Sequence, residues 1–254
     1  MTDTASGISA PVAAPAGRGA AWLFEGFSMF QKDWLTWIGI TVIFFVLSIV
    51  VNLIPLGGIL FNLVIFAFIG GLMLGCREID RGGDFRVSHL FAGFSDNLGQ
   101  YLLLGVLYSA GMLVIVILML IMMFVMLGGF GFLADIQSGQ LDNLLQYSAT
   151  ILIAALVALL LFVPLIMAFW FAPVLVALGN LDAIEAVKKS FSGCLSNVVP
   201  YLLYGVIALL LSLLASIPIF LGWLILCPML VASIYISYRD IFESGNNPQL
   251  TTNH

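Results

Sequence analysis

Six long runs of this chain contain no Asp, Glu, Lys, Arg or His: Trp34 to Ile54, Leu56 to Cys76, Gln100 to Leu127, Ala149 to Leu178, Val198 to Ser216, and Ile219 to Tyr238. About 20 apolar residues in a helix cross a hydrocarbon layer roughly 30 Å thick, so each run is long enough to span one. Backbone N–H and C=O groups find no water at that depth and must bond within the segment, which selects helices over open sheets. Charged residues make up 8% of the 254, against 62% apolar, too few to cover a core in water. The sequence thus predicts an all-α membrane protein with six transmembrane helices.

Pro55 and Pro218 stand where the first and second, and the fifth and sixth, runs meet. Proline cannot continue a helix ladder, so both junctions read as tight hairpins. When six spans are threaded, all eight bases (Arg18, Lys32, Arg77, Arg81, Arg86, Lys188, Lys189 and Arg239) flank one face. Positive residues in short loops mark the cytoplasmic side, which predicts a bacterial inner membrane with both termini cytoplasmic. The long outer loop, Gly128 to Ser148, holds Asp135 and Asp142 and opens on Gly128, Gly129 and Gly131; it reads as a flexible periplasmic turn. The third and fourth runs exceed what a span needs, and Pro164 and Pro173 are expected kinks in the fourth. Residues 1–19 read as a disordered cytoplasmic tail, 20–243 as the membrane domain, and 244–254 as a flexible end.

Internal comparison reveals more about construction than any motif does. Phe91, Gly93, Asn97, Tyr101, Leu102, Leu103, Gly105 and Val106 recur without a gap as Phe191, Gly193, Asn197, Tyr201, Leu202, Leu203, Gly205 and Val206. Phe24, Gly26 and Phe27 echo the start of the pattern. Three parallel repeats are expected, at about 20–85, 86–181 and 182–243, each an interfacial amphipathic helix followed by a transmembrane hairpin. The apolar stripes of those helices are Trp22, Leu23, Phe27 and Phe30; Val87, Leu90, Phe91 and Phe94; and Ile184, Val187, Phe191 and Leu195. The repeated elbow residues Phe91, Gly93, Asn97, Tyr101, Phe191, Gly193, Asn197 and Tyr201 either contact ligand or brace the turn into the membrane.

Ionisable groups inside spans mark proton relays and ion paths, so runs without them argue against a coupled pump. Neutral polar residues Asn62, Ser109 and Ser212 could line a polar path, and Lys188 and Lys189 suit lipid headgroups. The cluster Arg77, Glu78, Asp80, Arg81, Asp84, Arg86 and His89 mixes acids, bases and an imidazole but reads equally as a solvated turn. No cofactor motif, metal-ligand spacing or basic nucleic-acid patch occurs, and Cys76, Cys194 and Cys227 read as free thiols.

Residues 75–82 (Gly-Cys-Arg-Glu-Ile-Asp-Arg-Gly), 89–94 (His-Leu-Phe-Ala-Gly-Phe), 170–174 (Trp-Phe-Ala-Pro-Val) and 237–242 (Ser-Tyr-Arg-Asp-Ile-Phe) carry a resemblance. They look like an uncharacterised family of proteobacterial multi-pass proteins, similar in turn to the membrane domain attached to some glycerophosphodiester phosphodiesterases. Those motifs carry no catalytic roles, and the chain lacks the soluble phosphodiesterase barrel. The expected function is non-enzymatic binding of membrane lipid or a membrane protein partner. The alternatives are transport of a lipid-like or neutral solute and, more distantly, lipid modification around Arg77 to His89.

Overall fold

A computed structural model describes residues 10–126, 144–219 and 221–244, and among them no strand occurs. The helices are α1 (Arg18–Lys32), α2 (Trp34–Asn52), α3 (Gly57–Asp80), α4 (Ala92–Ser95), α5 (Leu98–Met126), α6 (Leu144–Trp170), α7 (Ala172–Gly179), α8 (Ala183–Ser196), α9 (Val198–Ser216) and α10 (Trp223–Tyr238). A single 3-10 turn (Val87–Phe91) precedes α4, and α10 runs on as a π-helical turn over Arg239–Glu243. Six segments are long and apolar enough to cross a membrane: α2, α3, α5, the α6–α7 pair, α9 and α10 with its extension. The expected outer loop lies outside the described residues apart from its last ones, as does the C-terminal tail beyond Ser244.

Both proline junctions are tight. Leu56 follows Pro55 at φ 65°, and Ile219 follows Pro218 at φ 50°. Proline presets the first central position of such a turn, and the next residue must then enter the left-handed region that glycine occupies most easily. Gly57 closes the first hairpin, since a Cβ there would lie 1.8 Å from the Val51 carbonyl oxygen.

The fourth span breaks at Phe171, between the two expected proline kinks. Ser190 of α8 enters the helix ladder there: its Oγ accepts from the Phe171 N–H at 2.9 Å and donates to the Met167 carbonyl at 2.8 Å. A hydroxyl inserted into the i→i−4 ladder is a recognised cause of a break. Pro173 then sits in the first turn of α7, where its missing N–H costs nothing, and Pro164 lies within α6.

The chain divides into two compact units, Leu107–Ile166 and the remainder. In the first of these, Gly111 lets α5 and α6 meet closely, because a Cβ there would lie 2.7 Å from Leu165 Cδ1. Its large side chains, such as Leu120, Val125 and Leu160, point outward.

The larger unit has its core where α1 lies along α10. Arg18 and Trp22 reach Asp240, while Gly26 packs on Met229 and Ser233, so the two helices run antiparallel. Trp22, Leu23 and Phe30 of the predicted stripe are buried there, and Phe27 stays partly exposed. The expected disordered tail is corrected for Val12 to Arg18. The Val12 N–H donates to the Ile241 carbonyl at 2.9 Å, and Asn197 holds the Val12 carbonyl and the Ala14 N–H at 3.1 and 2.7 Å. A low-complexity segment becomes ordered here because a buried amide supplies its backbone with partners.

Helix α8 is arranged the other way round. Its buried face is Ala183, Ala186, Ser190, Gly193 and Cys194, whereas Ile184 and Leu195 of the predicted stripe are 53% and 57% exposed. Small residues let the helix approach the protein closely, and the large apolar ones are left on the outside.

Candidate functional site

Between α2, α3 and α10 lies an apolar cavity of about 320 Å³, lined by Trp37, Thr41, Phe44, Ile69, Cys227 and Val231 among others. Thr41 turns its hydroxyl to the Trp37 carbonyl of its own helix at 2.8 Å and offers nothing to the cavity. Pro228 also lines it from inside α10. Having no N–H, that proline removes one bond from the helix ladder beside the cavity. Nothing in the sequence marks these positions, because apolar residues in a span are uniform in composition whether they line a cavity or fill one.

A second cavity, of about 470 Å³ and mostly polar, is lined by Leu74, Ser95, Asp96, Asn97, Tyr101, Ala177 and Asn180. It lies where α3 ends, α5 begins and α7 stops. Asn97 and Asn180 both adopt left-handed backbone, at φ 60° and 51°, and Asn97 Nδ2 donates to Asn180 Oδ1 at 3.2 Å.

The charged residues at this end form separate pairs. Arg18 donates from Nε to Asp240 at 2.7 Å and from Nη1 to Glu25 at 2.8 Å, and Trp22 Nε1 shares the same Asp240 oxygen. Burial opposes the Arg18 charge, but Asp240 and Glu25 outweigh it and hold the guanidinium pKa above its usual value. Arg77 pairs with Glu243 at 3.0 Å, and Asp80 takes Arg239 at 2.8 Å and the Tyr235 hydroxyl at 3.0 Å. Asp84 pairs with Arg86, and His89 Nδ1 accepts from the Arg86 N–H at 3.0 Å while its ring stacks on Phe85. Asp80 is therefore committed to Arg239 and Tyr235, while Asp84 and His89 both bond to Arg86, one at its guanidinium and the other at its backbone N–H. Among the described residues, no group of three His, Cys, Asp or Glu side chains could hold a metal. Burial pushes the Cys194 thiol up to about 12, so it stays protonated.

The elbow residues take varied places. Gly93 fits against Ala67, where a Cβ would lie 2.1 Å from the carbonyl oxygen, and Gly193 faces the ring of Phe242. Phe91 and Phe191 stay partly exposed. Tyr101 is buried beneath Gly70, and Tyr201 joins Trp22, Trp170, Phe171 and Tyr204 in an aromatic cluster with centroids 5.1 to 6.0 Å from it. Asn197 is fully buried and clamps the N-terminal segment, whereas Asn97 is exposed at the polar cavity.

Of the polar-path residues, Asn62 donates to the Gly58 carbonyl at 3.0 Å and Ser212 to the Ala208 carbonyl at 2.7 Å, each within its own helix. Ser109 belongs to the smaller unit. Lys188 is exposed, and Lys189 lies 3.7 Å from Glu185.

No family model matches this chain, and no solved structure matches it. The likeness to the phosphodiesterase-attached membrane domain thus rests on the sequence motifs alone. One curated relative, a probable inner membrane protein of Burkholderia thailandensis, is 28% identical over 253 residues, covering 89% of this chain and 92% of the relative. With six helices apolar and long enough to cross a bilayer, the chain is an integral membrane protein.

Proposed function

We propose that this protein is a non-enzymatic inner-membrane lipid binder, with its acyl-chain site in the groove between α2, α3 and α10. The observation that carries this reading is the groove itself: a cavity of about 320 Å³ with an apolar lining, formed by helices that span the membrane. Hydrocarbon is the solvent such a surface meets, and a chain seated there gains dispersion contacts that it would lack against a flat helix face. The name of the Burkholderia relative supports the membrane assigned. The basic residues at one end support cytoplasmic termini, and the matched elbow segments support three parallel repeats. Solute transport has less support, because Asn62 and Ser212 bond back to their own helices.

Photo-crosslinking with a phospholipid carrying a diazirine in its acyl chain tests this reading. Adducts are expected to concentrate on Ile69, Cys227 and Val231, and Val231→Trp should deplete them by filling the groove. Adducts spread evenly over outward residues such as Leu120, Leu160 and Leu213 would mean ordinary bilayer contact and overturn the assignment.

A further inference from the structure

We infer that the polar cavity between α3, α5 and α7 binds a primary ammonium group, the headgroup chemistry of an ethanolamine phospholipid. The site is separate from the acyl groove, shares no residue with it, and stands or falls independently.

The chemistry of the lining selects the ligand. Asp96 contributes an exposed carboxylate that forms no ion pair with the described residues, and no Lys or Arg lines the cavity. An anion would be repelled. The amide oxygen of Asn180 accepts only one bond, from Asn97, and an amide oxygen has two lone pairs. Tyr101 is 1% exposed, lines the same cavity, and its hydroxyl makes no hydrogen bond with the described residues. A phenolic oxygen can accept a hydrogen bond, so a ligand donor in the cavity would find a partner there. The Ser95 hydroxyl completes a set of acceptors around one negative charge.

A primary ammonium has three N–H donors and one positive charge, matching that set. A quaternary ammonium has the charge without the donors. A divalent metal would need more carboxylate or imidazole than the single acid here supplies. The cavity lies at the end of the spans where the basic residues gather, at headgroup rather than hydrocarbon level.

The test is native mass spectrometry of the full-length protein released from vesicles of equal phosphatidylethanolamine and phosphatidylcholine in a phosphatidylglycerol background. Retained ethanolamine lipid should exceed retained choline lipid by about tenfold, the scale of one charge-assisted hydrogen bond. Asp96→Asn should return the ratio to that of the vesicle, and Tyr101→Phe, which keeps the ring packing, should lower it part of the way. Both variants should leave the diazirine adducts in the acyl groove unchanged, which separates failure here from failure of that site. Displacement by free ethanolamine would support the ammonium site and assign a soluble amine as its source. Equal retention of both lipids by the unaltered protein, with no displacement by ethanolamine, would overturn the proposal.

Discussion

Asp240 receives two donors at one oxygen, from the guanidinium of Arg18 and the indole of Trp22, and so joins α1 to the end of α10. Trp22 is fully buried and the Arg18 side chain is 14% exposed, so water can replace little of what Asp240 supplies. Removing the acceptor leaves the Trp22 indole unpaired and the Arg18 guanidinium held by Glu25 alone, at a cost of about 2 kcal/mol. Asp240→Ala is therefore expected to lower the thermal unfolding midpoint of the detergent-solubilised protein, while Asp84→Ala, which removes an exposed pair, should leave it unchanged. The pairing of Asp240 was not legible from the residues alone. The bases were readable as a topological signal, but Arg18 and Asp240 are more than two hundred positions apart and only helix packing brings them together. The same holds for Asp80, which reads as part of a local charged turn and is instead committed to Tyr235 and Arg239.

At the level of the element, α8 shows how a correct stripe can have an unexpected use. Ile184, Val187, Phe191 and Leu195 share a face by spacing, yet the protein buries the opposite, small-residue face and leaves Leu195 outside. A water-soluble protein would bury the large residues, and this orientation supports the proposal that the apolar face of α8 meets lipid. Leu195→Asp is expected to cost about 2 kcal/mol, the value of a leucine kept from water, although the residue touches little of the protein. The check is the thermal unfolding midpoint of the variant in lipid nanodiscs, which should fall, compared with Lys188→Ala, which should stay near the unaltered level. Helix α1 has a similar sequence pattern and the opposite outcome. Its Trp22, Leu23 and Phe30 are buried because α10 lies along it, with Gly26 permitting the approach. Periodicity marks a face, but the neighbouring helix determines whether protein or lipid covers it.

For the whole molecule, the proposal that both termini are cytoplasmic rests on an even number of candidate spans and on the one-sided distribution of bases. A reporter active only in the cytoplasm should work when fused after Ser244 and fail when inserted near Gly139; a periplasmic reporter should give the opposite pattern. Activity of the same reporter at both sites would contradict the six-span threading. Span number, apolar character and the two proline hairpins were readable from the sequence because they depend on local composition and on the missing N–H of proline. What only the tertiary structure decided was everything that needs two distant segments at once. The insertion of Ser190 moved the break to Phe171, Asn197 ordered the N-terminal segment, and the groove and the polar cavity formed between helices. The hydrophobic effect that selects the spans is non-directional and legible in composition, whereas cavities and hydrogen-bond partners depend on where three-dimensional packing places specific atoms.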